Sequence, residues 1–178
     1  GQEHKTCFVE LEEPADPFCA SWKVATSLTR AGARTHEFGR YSAVDYEDLI
    51  DHPVEIGDFS FTRFEAAGKP HELVIQGRHN ADLERLKSDL QRICEQHVSL
   101  FGELPLESYL FIVTAVGDGY GGLEHRTSTS LLCSRDDFPV STDKEVTEGY
   151  RRFLGLCSHE YFHLWNVKRI RPLAFMQQ

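Results

Sequence analysis

The sequence has no C-x-x-C pair, no block of lysine and arginine, and no apolar stretch long enough to cross a bilayer. Each absence removes a class of function. Without C-x-x-C there is neither a cysteine zinc ribbon nor a dithiol redox motif. The five cysteines, Cys7, Cys19, Cys94, Cys133 and Cys157, are odd in number and irregularly spaced. They read as reduced core residues, with one disulfide such as Cys7–Cys19 as the alternative, and reduced thiols point to a cytoplasmic location. Asp and Glu number 28 against 19 Lys and Arg, a net charge of −9 with His neutral. Affinity for phosphate backbones comes mostly from clustered positive charge, so neither a nucleic-acid surface nor a cationic membrane patch is expected. The most apolar run, Leu110–Val116, falls far short of the roughly 20 residues a spanning helix needs. The N-terminus has no basic region followed by an apolar stretch. The chain opens on Gly1-Gln2 without Met and is expected to be an internal piece of a longer protein, which leaves a periplasmic or secreted location open.

What is present suffices for a core: 178 residues, 40% of them hydrophobic, with 12 Phe, 6 Tyr and 2 Trp. The first part alternates short β-like runs with turns. Cys7–Leu11 and Trp22–Leu28 read as strands, Tyr46–Ile50 as a single helical turn closed off by Pro53, and Ile56–Phe64 and Glu72–Gln76 as further strands. After Asn80, the expected N-cap, the period changes. Leu83, Leu86, Leu90, Ile93, Cys94 and His97 recur every three or four residues with charges between them, an amphipathic helix ending before Phe101-Gly102. Tyr109–Val116 is a near-continuous apolar strand of the kind covered on both faces. Leu123–Cys133 has the composition of an edge strand, and a second long helical pattern runs from Asp143 towards Lys168, with Pro172 as its latest end. The expectation is an α+β chain divided into a β-rich region, 1–78, and a second region, 79–178.

The strongest chemical signal is His159-Glu160-Tyr161-Phe162-His163 inside the last helical pattern. Residues i and i+4 share a helix face, so His159 and His163 can aim imidazole nitrogens at one zinc ion about 2 Å from each. Glu160, about 100° round the helix, reaches water beside that ion; zinc acidifies the water and the carboxylate takes its proton as a polarised carbonyl is attacked. The bland alternative is a partly exposed helix whose two His are satisfied by surface partners. A second cluster, Gly117 to His125, contains the spacing G-x-G-x-x-G at Gly117, Gly119 and Gly122. A dinucleotide fingerprint needs a helix to start at these glycines, and the continuation has strand composition instead. Four glycines in so short a turn leave room for another chain to approach the backbone. Lys168, Arg169 and Arg171, the one basic cluster, suit the negative end of a helix dipole.

Gly121-Gly122-Leu123-Glu124-His125, followed by Ser158-His-Glu-Tyr-Phe-His-Leu-Trp-Asn-Val-Lys-Arg-Ile-Arg-Pro172, resembles the glycyl aminopeptidase family of zinc metallopeptidases, relatives of the thermolysin-like gluzincins. Trp22–Thr26, Tyr46–Asp51 with Pro53–Gly57, and Phe101–Pro105 extend the resemblance over nearly the whole chain. It implies a β-rich N-terminal segment followed by the sheet and H-E-x-x-H helix of a thermolysin-like catalytic domain, incomplete at its C-terminal side, and in the parent protein a C-terminal PDZ domain. It implies peptide substrates with a free N-terminus: Gly121 and Gly122 lie along the substrate backbone as an added strand, Glu124 binds the α-amino group, and His125 orients the peptide or Glu124. A carboxylate near zinc favours an ammonium in any case, although Glu124 could instead pair structurally with Arg126 or Arg135. The resemblance further implies a third zinc ligand, a downstream Glu, and residues 164–178 contain no Asp or Glu. With two protein ligands where a catalytic zinc has three, the chain alone is expected to bind Zn2+ weakly and to lack the peptidase activity of its parent. The rival from another class is a non-catalytic peptide- or protein-binding module on a peptidase-like fold.

Overall fold

The computed structural model describes residues 1–142 and 145–170. Its contacts divide the chain into two compact units, Gly1–Ser60 and a second that begins at Phe61. The boundary expected at 78/79 is displaced towards the N-terminus, because the two strands flanking Ala67-Gly68 pair into the sheet of the second unit.

The first unit contains β1 (Cys7–Leu11), β2 (Lys23–Thr26), β3 (Thr29–Arg30), β4 (Gly39–Ala43), α1 (Tyr46–Ile50) and β5 (Val54–Gly57). One small sheet has the order β1-β4-β3 and the other pairs β2 with β5, all antiparallel. Cys7, Val9 and Leu11 sit opposite Ala43, Tyr41 and Gly39. The period of two therefore gathers the apolar side chains on one face, over a core of Val24, Leu28, Tyr41 and Ala43. The α1 turn starts at Asp45, whose carboxylate accepts from the Asp48 N–H at 2.8 Å.

In the second unit β6 (Ser60–Ala66) and β7 (Lys69–Gln76) form a hairpin through Ala67 and Gly68, at φ +50° and +72°. Both turn residues have the positive φ that a two-residue turn matched to the strand twist requires. The run expected over Ile56–Phe64 is thus two strands in different sheets, broken after Gly57. From β7 the chain crosses through α2 (Leu83–Phe101) to β8 (Tyr109–Val116), parallel to β7. The helix starts at Asp82, not Asn80: Asp82 is extended and its carboxylate accepts from the Arg85 N–H at 3.1 Å. It stops at Gly102, whose φ of +82° only a residue without Cβ adopts readily.

The segment expected as one edge strand, Leu123–Cys133, is a hairpin of β9 (Tyr120–Glu124) and β10 (Ser128–Ser134), turned at 125–127 where the His125 N–H donates to the Ser128 carbonyl at 2.9 Å. The five-stranded order is β6-β7-β8-β10-β9, with β10 parallel to β8 and antiparallel to β9. β9 alone is the edge on that side. Rows such as Ile75–Val113–Leu131 cross the sheet in register and meet Leu86, Leu90 and Cys94 of α2 and Phe153 and Cys157 of α3 (Glu148–Phe162) in one core. Both faces of β8 are buried, as its composition requires. All five cysteines are free thiols, so the Cys7–Cys19 alternative is not formed.

α3 is shorter than its pattern. The Thr147 hydroxyl caps it, accepting from the Tyr150 N–H at 3.1 Å. Beyond His163 the backbone continues in turns, and side chains add contacts: the Trp165 indole donates to the Glu103 carbonyl at 3.1 Å, and Arg169 donates to Leu164 and Pro105 carbonyls at 2.7 and 2.9 Å. Arg169 thus puts its charge at the helix C-terminus, as expected. Asp143, Arg171 and Pro172 lie outside the described residues.

Candidate metal centre

His163 is the C-cap of α3 but keeps helical dihedrals, φ −63° and ψ −16°. It therefore stays one turn beyond His159 on the same face. The two rings stand edge to face, and their Nε2 atoms are 3.1 Å apart. Nδ1 of His163 is 3.2 Å from the Asn166 carbonyl, to which it donates its proton, so its Nε2 presents a lone pair. Two ligands about 2 Å from one ion at a tetrahedral angle lie roughly 3.3 Å apart. The observed separation is close to that span.

Glu160 lies between these turns and is buried, with 5% of its surface exposed. Its Oε2 is fully buried without a hydrogen-bond partner. Burial pushes this carboxyl above the ordinary carboxylate range; the two imidazoles act in the opposite sense and Glu124 adds to the rise. A buried acceptor with no donor is costly. An atom in that state beside two convergent imidazoles fits a site meant to hold a cation and water.

Glu124 comes from the end of β9. Alternate residues of this strand share a face, and the face of Tyr120, Gly122 and Glu124 is turned to α3. The Arg152 guanidinium lies 5.2 Å from the centroid of the Tyr120 ring, and Gly122 abuts the Glu160 side chain. One ligand atom each of Glu124, Glu160 and His163 lie within 4.8 Å of one another. The edge strand and the helix thus bring together four of the residues expected from sequence, His159, Glu160, His163 and Glu124. Gly121 is on the opposite face of β9, and His125 follows the strand, buried, outside this cluster. Arg135, offered as a structural partner of Glu124, donates instead to the Val116 carbonyl at 3.2 Å. No helix begins at Gly122, which removes the dinucleotide alternative.

Two supports of the site were not anticipated. The Tyr161 hydroxyl donates to Nε2 of His71 in β7 at 2.9 Å, and the same ring gives its Nδ1 proton to the Lys69 carbonyl at 2.9 Å. His97 of α2 is joined to Ser158 through Nε2 and the hydroxyl at 2.9 Å. The helix that carries His159 and His163 is therefore tied to both the sheet and α2 by side chains flanking His159 and Glu160.

The family model of the peptidase M61 N-terminal domain matches residues 1–58, and that of M61 glycyl aminopeptidase matches residues 152–178. No curated protein matches the chain. Among solved structures, an aminopeptidase N family protein from Idiomarina loihiensis is 46% identical over 99% of this chain, with a TM-score of 0.94. This chain spans 30% of that protein's length. An M1 zinc metallopeptidase from Deinococcus radiodurans is 14% identical over 90% of this chain and 33% of its own, with a TM-score of 0.47. Models of the M61 family thus match the chain in order at both ends, and an aminopeptidase N family structure 46% identical to it follows it across 99% of its length.

Proposed function

We propose that this chain supplies the metal-holding histidines, the general base and the amine-recognising acid of a zinc-dependent aminopeptidase. The observation that carries the proposal is the buried, partnerless Oε2 of Glu160 beside the facing Nε2 atoms of His159 and His163. When bound, zinc supplies Lewis acidity, polarising a peptide carbonyl and lowering the pKa of water. The imidazoles of His159 and His163 hold it, and Nδ1–H of His163, engaged by the Asn166 carbonyl, keeps that ring in the tautomer a metal ligand needs. Glu160 takes the proton from the attacking water and hands it to the leaving amine. Its raised affinity for protons, caused first by burial, suits both transfers.

Among the described residues no further strand pairs with the outer edge of β9, which suits an extended peptide. Glu124, at the end of that edge, attracts the α-ammonium and so favours N-termini over internal peptide bonds. A third zinc ligand, a Glu, comes from sequence downstream of this chain. The test is Glu160→Gln in a polypeptide extended through that downstream sequence: turnover of amino-terminal substrates falls at least ~10²-fold, as expected for loss of a general base, while zinc content is unchanged. Retained turnover would overturn the proposal.

A further inference from the structure

Gly121 and Gly122 are adjacent in the edge strand, and neither has a positive φ. Alanine is conformationally allowed at both, so backbone freedom explains neither glycine. Their surroundings differ sharply. A Cβ at Gly121 would meet nothing within 4 Å, whereas a Cβ at Gly122 would overlap Oε1, Cδ and Cγ of Glu160. The Glu160 carboxylate thus occupies the volume that any side chain at position 122 would fill.

We propose that Gly122 is a positioning residue for Glu160, its missing Cβ being the seat of the carboxylate rather than a clearing for substrate. The assignment deepens the reading of Glu160 as general base and rests on it for its functional meaning; the packing itself does not. Glu160 is 5% exposed and its Oε2 is fully buried, so its carboxylate can yield only by moving within an enclosed setting. Ordinary carbon contacts begin near ~3.5 Å, so a methyl group at 122 would have to drive the carboxylate away from the strand by on the order of 1 Å. A shift of that size at a reacting group costs ~10²-fold in rate.

The test is a set of urea-denaturation midpoints on the full chain. Gly122→Ala lowers the midpoint, and Gly121→Ala leaves it unchanged or slightly raised. In a Glu160→Ala background, where the overlapping atoms are gone, Gly122→Ala no longer lowers it; in a Glu160→Gln background, which keeps those atoms, the loss persists. If Gly122→Ala alone fails to fold, recovery of folding in the Glu160→Ala background carries the same result. An equal loss with and without the Glu160 side chain, or no loss from Gly122→Ala, would overturn the assignment. In the extended polypeptide, Gly122→Ala lowers kcat ~10²-fold with KM unchanged; a raised KM with kcat unchanged would make Gly122 a substrate contact and overturn it. The midpoints involve neither zinc nor turnover, so their failure leaves the peptidase proposal standing, and failure of that proposal leaves them standing.

Discussion

Tyr161 and His71, ninety positions apart in sequence, share a hydrogen bond of 2.9 Å in which the phenol donates and the imidazole Nε2 accepts. Tyr161 is the residue after the proposed base Glu160, and both partners of the bond are buried. The donor direction is settled by Nδ1 of His71, whose proton goes to the Lys69 carbonyl. The turn of helix that carries the site is therefore held to strand β7 by a neutral histidine.

Removing the phenol leaves the enclosed Nε2 without a donor. Tyr161→Phe is expected to destabilise the second unit by about 1–3 kcal/mol, the cost of an unsatisfied buried acceptor. Urea unfolding followed by Trp165 fluorescence measures it, with Trp22→Phe to silence the indole of the first unit. Replacing both partners, as His71→Phe with Tyr161→Phe, should recover much of the loss.

The same histidine sets a pH dependence. Burial lowers the pKa of His71 from the ordinary 6.5, opposed by its hydrogen bond to the Lys69 carbonyl. As pH falls through about 6.5 the unfolded chain takes up a proton at this residue and the folded chain does not. Stability therefore falls with falling pH, by up to about 1.4 kcal/mol per pH unit for the one proton, and levels off below the folded pKa. His79 and His97, also lowered by burial, act in the same direction. Between pH 7 and 5 the unfolding free energy of the His71→Phe, Tyr161→Phe pair should fall less than that of the parent chain. An equal fall would assign the slope to other groups.

Glu124 gives a selectivity prediction. In the extended polypeptide Glu124→Ala should reduce kcat/KM for substrates with a free α-amino group by about 10-fold or more, in the range of a lost charge-assisted hydrogen bond, and alter N-blocked peptides little. Steady-state rates on a matched pair of free and acetylated peptides measure it. Equal losses on both would remove the amine-recognition role.

Elements governed by local pattern were legible before the fold was known. Tyr46–Ile50 and Tyr109–Val116 have the bounds read from sequence, because a proline that closes off a helical turn and a near-continuous apolar run are local signals. β3 and β4 were missed: Thr29–Arg30 and Gly39–Ala43 have little strand composition and exist through pairing with β1 and with each other. Leu123–Cys133 read as one strand because Thr127 and Thr129 suit a strand, while the turn at 125–127 depends on the His125 to Ser128 backbone bond. In the site, the i, i+4 spacing made His159 and His163 visible. Glu124, in a distant segment, was placed beside them only by the family resemblance, and the tie of Tyr161 to His71 was not seen at all, because no periodicity announces contacts between distant segments.

The measurement that bears most directly on the proposed metal centre is calorimetric titration of the chain with Zn2+ at a pH where histidine is neutral. The account predicts weak, saturable binding that His159→Ala or His163→Ala abolishes and Glu160→Gln retains, since two imidazoles without a third ligand hold zinc loosely. A tight, stoichiometric site in the unaltered chain, or binding that survives the loss of either histidine, would contradict it.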